Sequence, residues 1–285
     1  MNRPKTKFSR RKFLATIGLA GLGGATYVRW VEPHWLDVGR HKIHLSKSDG
    51  KTPFKVLQLS DFHASPVVSI NFIKESIRLG LNQQPDLILL TGDFITHKFD
   101  QLEEYVEALA PLAKAAPTYA CLGNHDGGLW AVRGGGYEDT EFIRSVLTKA
   151  KVTLLHNASQ PVQIRDWNLM LVGLGDSWAE EMQPEAAFAR APSNPGATTI
   201  VLSHNPDTKM GLKSYAWDLM LCGHTHGGQV CLPLIGAPFA PVRDKKLLGG
   251  LYRWNNRWIH VTRGLGNLHG VRFNCRPEVS LLTLV

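Results

Sequence analysis

Cysteine is scarce in this 285-residue chain, and none of the four lies in a Cys-x-x-Cys pair. The wide spacing of Cys121, Cys222, Cys231 and Cys275 excludes zinc-finger and thioredoxin readings. Cys121 and Cys222 each end an apolar run, so buried free thiols are expected; in an exported protein a disulfide is the alternative. No apolar run reaches the ~20 residues of a standard membrane-spanning helix. No internal repeat or low-complexity run is present, which excludes repeat architectures. Acidic residues are in the minority, 24 against 32 Lys and Arg, giving a net charge of +8. That balance points to acidic partners: phosphate esters, anionic lipid or nucleic acid. The chain has no nucleic-acid module of interleaved aromatic and basic residues. With 44% apolar and 20% charged residues, it is otherwise an ordinary globular composition able to bury a core.

Part of the positive charge sits at the N-terminus, in Arg3, Lys5, Lys7, Arg10, Arg11 and Lys12. An apolar, Gly- and Ala-rich run, Phe13 to Val28, follows. This is the layout of an export signal, and Ser9-Arg10-Arg11-Lys12-Phe13-Leu14 resembles a twin-arginine signal. No clean Ala-x-Ala cleavage site follows. Residues 1–30 are therefore expected to be a twin-arginine-like signal or a membrane anchor, placing the protein in the periplasm or on the inner membrane. The alternative is a basic amphipathic tail on the cytoplasmic face.

From residue 52 to 285 short apolar runs alternate with helical patterns. Strands are expected at 54–59, 86–90, 118–122, 198–202, 219–222, 258–262 and 279–285, with a hairpin of 162–165 and 169–172. Helices are expected at 69–83, with Ser69 as N-cap, and at 100–115, where Asp100 and Glu103 form a capping-box-like start. The alternation argues for one domain built as a layered α/β sandwich.

Five polar motifs each follow a strand: Asp61-Phe62-His63, Gly92-Asp93, Gly123-Asn124-His125-Asp126, Ser203-His204-Asn205 and Gly223-His224-Thr225-His226-Gly227-Gly228. Taken singly they are weak. Asp-x-His is common by chance, Gly-Asp is usually a turn, and a lone histidine is more often a satisfied core residue. Their conjunction, in order and each at a strand end, is the signal, because ligands collect at the carboxyl ends of strands in α/β sheets. Nitrogen and oxygen donors without thiolate suit manganese, iron, zinc, cobalt or nickel. Seven ligands exceed one tetrahedral ion and suit two ions joined by a carboxylate, an arrangement used for phosphoryl displacement.

In this order the motifs resemble the calcineurin-like metallophosphoesterase superfamily over residues 52–285. Cys222 to Gln229, Pro238 to Val242, Thr262 to Gly266 and Asn274 to Val279 resemble its YaeI/YkuE-type bacterial phosphodiesterase branch. The resemblance implies a layered α/β sandwich with its metal site at the carboxyl ends of the strands. It implies Asp61, His63 and His226 on a first divalent ion, Asn124, His204 and His224 on a second, and Asp93 bridging. A hydroxide shared by the ions would attack, and His125 would serve the leaving oxygen as proton donor or charge stabiliser. Asp126 would orient His125.

Arg263 follows a strand and is a candidate for a substrate phosphate or for a structural ion pair. His97, His156 and His269 carry no motif and are read as structural or surface residues. Asp176 is a candidate to sit behind the ligands, and Lys245-Lys246 read as a solvated pair. Two segments would set specificity: Gly127 to Asp139, a mobile rim with Trp130 and Arg133, and Leu232 to Leu251, an apolar loop near Arg243. An apolar loop beside cations suits an amphiphile with a phosphate head. The expected activity is a phosphodiesterase on small or lipid-linked diesters. The alternatives are a UDP-2,3-diacylglucosamine pyrophosphatase of lipid A biosynthesis, or a non-catalytic metal- or lipid-binding scaffold.

Overall fold

The computed structural model describes residues 10–48, 50–190 and 196–285. Its strands form two six-stranded sheets. Across the first lie β1 (Asp37–Ile43), β12 (Glu278–Leu284), β2 (Phe54–Leu59), β3 (Leu87–Thr91), β4 (Thr118–Cys121) and β5 (Thr153–Leu154). Across the second lie β10 (Gly250–Trp254), β11 (Arg257–Val261), β9 (Leu219–Cys222), β8 (Thr198–Leu202), β7 (Trp167–Gly173) and β6 (Ala158–Ile164). β2, β3 and β4 run parallel, with Leu57 opposite Ile88 and Ile88 opposite Thr118. β7, β8, β9 and β11 are also mutually parallel. Each sheet therefore has a rim where carboxyl ends gather.

The apolar runs are continuous because both faces of these strands are covered. On the outer face of the first sheet, Leu57, Leu59, Ile88 and Leu90 pack with α2 (Ile70–Leu81), α3 (Leu102–Ala115) and α5 (Glu141–Lys149) through Ile73, Ile77, Leu109 and Val146. Between the sheets, Phe54, Val56, Leu87 and Leu89 meet Leu169, Leu171, Leu202 and Leu221. The far face of the second sheet buries Val172, Val201 and Met220 against Phe188, Leu212 and Trp217. The layered α/β sandwich expected from the alternation is the one that forms.

Local details differ in places. Ser69 caps α2 as expected, accepting from the Phe72 N–H at 3.3 Å. The capping box at α3 does not form; its N-cap is Gln101, without a side-chain cap bond. The rim at 127–139 is not all loop, since α4 (Gly128–Arg133) lies in it. The first sheet begins before residue 52, with β1 pairing parallel to β12. Glu32 is already buried and its carboxylate accepts from the Cys275 N–H. Ahead of it, α1 (Arg10–Thr26) buries no residue, and no described helix is long and apolar enough to cross a membrane. Ser9, the first residue of the twin-arginine-like motif, lies outside the described residues.

Candidate metal centre

The five motifs leave the carboxyl ends of parallel strands from both sheets, and the two rims face each other. Asp61 and His63 follow β2, Asp93 follows β3, and Asn124 and His125 follow β4; His204 follows β8, and His224 and His226 follow β9. The seven candidate ligands are no more than 5% exposed. Turning inward directly from a strand demands unusual backbone. Asp61 (φ 53°), His63 (49°), Asp93 (54°), His224 (69°) and His226 (51°) are all left-handed. Asp and His tolerate that region better than most residues, at a cost of order 1–3 kcal/mol each. Glycine is required where the turns touch. At Gly92 (φ 85°) a Cβ would fall 2.5 Å from the Gly123 amide nitrogen, and at Gly223 one would fall 2.3 Å from Asp61 Oδ2.

Two groups of donors result, Asp61 with His63 and His226, and Asp93 with His204 and His224. Hydrogen bonds at the far side of each imidazole fix which nitrogen is bare. His204 Nδ1 donates to the Thr91 carbonyl at 2.7 Å, and His224 Nε2 to the Pro241 carbonyl at 3.0 Å. Their remaining nitrogens, Nε2 and Nδ1, stand 3.2 Å apart. His226 Nδ1 donates to the Gly266 carbonyl at 3.3 Å. The Thr96 hydroxyl gives its proton to the His63 carbonyl and so accepts from His63 Nδ1 at 3.1 Å. The Nε2 atoms of His63 and His226 are then 3.1 Å apart. Two pairs of lone pairs thus face each other, an arrangement that a cation in each group satisfies.

The carboxylates fit the same reading. Asp93 Oδ2 lies 3.0 Å from His204 Nε2 and 3.4 Å from His63 Nε2, so it reaches both groups. Asp61 Oδ2 and Asn124 Oδ1 are buried acceptors without a hydrogen-bond partner. Burial, which disfavours charge, drives His63, His224 and His226 below the ordinary imidazole range. At His204 burial is outweighed by the Asp93 carboxylate beside Nε2, and the shift is upward. The residues present therefore fit divalent cations.

His125 is half-buried and stands apart from these donors. Its Nδ1 donates to the Thr96 carbonyl at 3.2 Å, its ring is edge-on to His63 at 5.1 Å, and its backbone N–H donates to Asp93 Oδ1 at 2.9 Å. Asp126 does not orient this imidazole as expected. Its carboxylate accepts instead from the backbone N–H groups of Asp93 (2.9 Å), Phe94 (2.6 Å), Ile95 (3.4 Å) and Gly123 (2.8 Å), clamping the turn that carries Asp93 to the turn that carries Asn124. Burial and the Asp93 charge push it up to about 8 against those N–H donors. Arg263 is held in the ion-pair arrangement: Nε lies 2.6 Å from Glu278 Oε2 and Nη2 lies 2.8 Å from Asp37 Oδ2.

Other residues surround the centre. Asp176 Oδ1 accepts from the N–H groups of Trp178 and Ala179 at 2.7 and 3.1 Å, bracing the loop that carries Trp178. The Trp178 ring stands edge-on to His224 at 4.3 Å and meets Trp130 of α4 at 4.5 Å. Trp178 had no motif to mark it; only the topology brings it there. His97 is exposed and His156 is half-buried 3.7 Å from Glu181. Beside His226 opens a cavity of about 390 Å³, walled by Val230, Phe239, Pro241, Leu268 and Val271, with His269 at its edge. Leu234, Ile235 and Phe239 of the 232–251 loop are exposed. All four cysteines are free thiols.

Asp, Asn and His donors at the facing rims of a two-sheet α/β sandwich define a metal-binding phosphoester hydrolase. The chain belongs to the calcineurin-like phosphoesterase family, which it matches over residues 54–228. It is 42% identical over 280 residues to phosphodiesterase YaeI of Escherichia coli strain K12, covering 97% of this chain and 99% of that relative. It is 32% identical over 291 residues to the uncharacterized metallophosphoesterase YkuE of Bacillus subtilis strain 168, covering 98% of each. These likenesses place it in the YaeI/YkuE branch. It is 28% identical over 324 residues to the UDP-2,3-diacylglucosamine pyrophosphatase LpxG of Chlamydia muridarum, covering 94% of this chain and 96% of that relative.

Proposed function

We propose that the protein is a phosphodiesterase using two divalent cations and acting on an amphiphilic diester at a membrane surface. The observation that carries the choice of substrate is the apolar cavity that opens beside His226. A phosphate at the donor groups would leave an acyl or prenyl chain room along Phe239, Leu268 and Val271. The two cations, when bound, supply an activated water and neutralise charge on the phosphoryl oxygens. Asp61, His63 and His226 would hold one, Asn124, His204 and His224 the other, and Asp93 both. With Nδ1–H bonded to the Thr96 carbonyl, His125 would give a proton from Nε2 to the leaving oxygen from its doubly protonated form and be left as the neutral Nδ1–H ring. Trp130 and Trp178 exclude water on the His224 side. Arg263, bonded to two carboxylates, enters this reading as part of the frame.

The N-terminus supports the membrane part. The Arg29 guanidinium donates to the Gly270 carbonyl, and the Arg272 N–H to the Val28 carbonyl. The helical turn Tyr27–Val31 that follows α1 is therefore fastened to the loop that supplies Leu268 and Val271. The apolar Phe13, Leu14, Ile17, Leu19 and Leu22 of α1 are all exposed. We propose that α1 lies at a membrane beside the cavity mouth, after export by the twin-arginine route. Changing Arg10 and Arg11 to Lys should then hold the protein in the cytoplasm, and unchanged periplasmic accumulation would remove that route.

The activity is tested by assaying the purified, metal-loaded chain on a generic small diester, a phosphomonoester, a glycerophospholipid-type diester and UDP-2,3-diacylglucosamine. Preference for the lipid diester is expected, and Phe239→Asp should raise its KM while leaving the small diester unaffected. Preference for the nucleotide-linked lipid would replace this reading by the pyrophosphatase, which the likeness to LpxG favours. No hydrolysis of any of them with metals bound would return the protein to a binding scaffold.

A further inference from the structure

Away from the candidate centre, the apolar packing between the sheets is interrupted by a polar cluster. It comprises His41 of β1, Gln58 of β2, His260 of β11, and Glu278 and Ser280 of β12. His41, His260 and Glu278 each offer one donor atom, and the three atoms lie within 4.8 Å of one another. His260 and Glu278 are 0% and 3% exposed, and His41 is half-buried. The two imidazole rings are 4.8 Å apart.

Hydrogen bonds decide which atom of His260 is left for this cluster. Gln58 Nε2 donates to the Cys222 carbonyl at 2.9 Å and to Thr91 Oγ1 at 3.1 Å. A carbonyl only accepts, so the other end of that amide is its oxygen. Gln58 Oε1 lies 2.7 Å from His260 Nδ1, which therefore carries the ring proton. Nε2 keeps a lone pair and has no hydrogen-bond partner in a fully buried side chain. Burial also holds this imidazole down at about 4, so a proton does not fill the place. A lone pair enclosed beside a carboxylate is an unfavourable contact that a cation removes.

Glu278 is fixed on the other side. Its Oε1 accepts from Ser280 Oγ at 2.7 Å and its Oε2 from Arg263 Nε at 2.6 Å, and each oxygen retains a further lone pair. Gly39 of β1 makes the space, since a Cβ there would fall 2.2 Å from Glu278 Oε1.

We infer that His41, His260 and Glu278 bind a further divalent cation, separate from the centre assigned to catalysis. Two imidazoles and one carboxylate suit zinc, with water at the fourth position. Tetrahedral bonds of about 2.1 Å set donors roughly 3.4 Å apart, so donors that lie within 4.8 Å of one another need only a small closure on binding. Half-buried His41 is the way in. Gln58 plays the part of the outer partner that orients a ligating imidazole. The ion ties the edge strand β1 and its neighbour β12 to β11 of the opposite sheet.

The test uses the full chain, stripped by chelation, reloaded with zinc and freed of loose ion by gel filtration. The wild-type protein should retain one more zinc per chain than His41→Ala. With Asp93→Ala as background, added zinc should still raise Tm by several degrees, and adding His41→Ala should abolish that rise. His41 lies on a partly exposed edge strand, so the variant keeps the experiment readable where His260→Ala fails to fold. Cobalt in place of zinc should give a tetrahedral visible spectrum in Asp93→Ala that disappears in the double variant. Equal ion counts in wild type and His41→Ala, or no zinc-dependent rise in Tm in Asp93→Ala, would overturn the inference.

Discussion

At residue scale the proposed function separates groups that would hold cations from a group that would handle the substrate. Asn124 and His125 are neighbours in sequence, yet Asn124 Oδ1 is a sealed acceptor without a partner while His125 is half-buried and anchored through Nδ1. His125→Ala should keep both cations and lose about 10²–10⁴-fold in kcat, the range of a general acid. The loss should be smaller for a nitrophenyl diester than for an alkyl one, because nitrophenolate leaves without a proton. Equal losses on the two substrates, with metals retained, would instead assign His125 to charge stabilisation. Arg263 gives the opposite expectation. In the metal-stripped chain, removing it leaves Glu278, which is 3% exposed, without its cationic partner. Arg263→Ala should lower stability by about 3 kcal/mol, seen in a urea titration, with KM for a small diester within twofold of wild type. A large rise in KM at unchanged stability would make Arg263 a substrate contact.

At the scale of elements, turns rather than strands set the positions of the ligands. Asp126 is the example: one carboxylate accepts from four backbone N–H groups in two turns. Asp126→Ala leaves those donors buried without acceptors, at about 1–3 kcal/mol for each left unsatisfied. It should also weaken metal binding by about 10–100-fold, the usual penalty for losing an outer partner. Isothermal titration with manganese checks this, and unchanged affinity would confine Asp126 to a purely structural role. The sequence contains Asp126 beside His125 but nothing that says its carboxylate bonds the backbone N–H groups of Asp93, Phe94 and Ile95, so the clamp is not legible there. The same limit explains the elements that periodicity missed. β1 reads Asp-Val-Gly-Arg-His-Lys-Ile, without a clear apolar alternation, because it is a half-covered edge strand. α4 is six residues entered through two glycines at positive φ, too short for a helical period. By contrast β2, α2 and β3 were legible because their burial is nearly complete or strictly one-sided. The ligand motifs were legible for a chemical reason: Asp, Asn and His after buried runs have few other uses in such numbers. Trp178 beside His224 and His269 beside the cavity were not, since only the packing of distant loops brings them there.

At the scale of the whole molecule, each donor group draws on both sheets. Asp61 and His63 come from the first sheet and His226 from the second; Asp93 and Asn124 come from the first, and His204 and His224 from the second. Cations there would act as cross-links between sheets that already meet through apolar side chains and through hydrogen bonds such as His204 Nδ1 to the Thr91 carbonyl. Because the unfolded chain offers no such geometry, binding free energy adds to folding stability. At a free ion concentration 100 times Kd, each site contributes about 2.7 kcal/mol. Two sites make about 5 kcal/mol, and at roughly 2–4 °C per kcal/mol for a domain of this size the rise in Tm is on the order of 10–20 °C. Calorimetry of the chelated and manganese-loaded chain measures it. The distribution of the effect is the sharper test. Asp93 lies within 3.4 Å of imidazoles in both groups, so Asp93→Ala should lose nearly all of the manganese-dependent rise. Asn124 belongs to one group, so Asn124→Ala should lose about half and recover part of it at higher manganese. Equal effects from the two substitutions would mean that the groups do not share a carboxylate, and no effect from either would separate metal binding from the joining of the sheets.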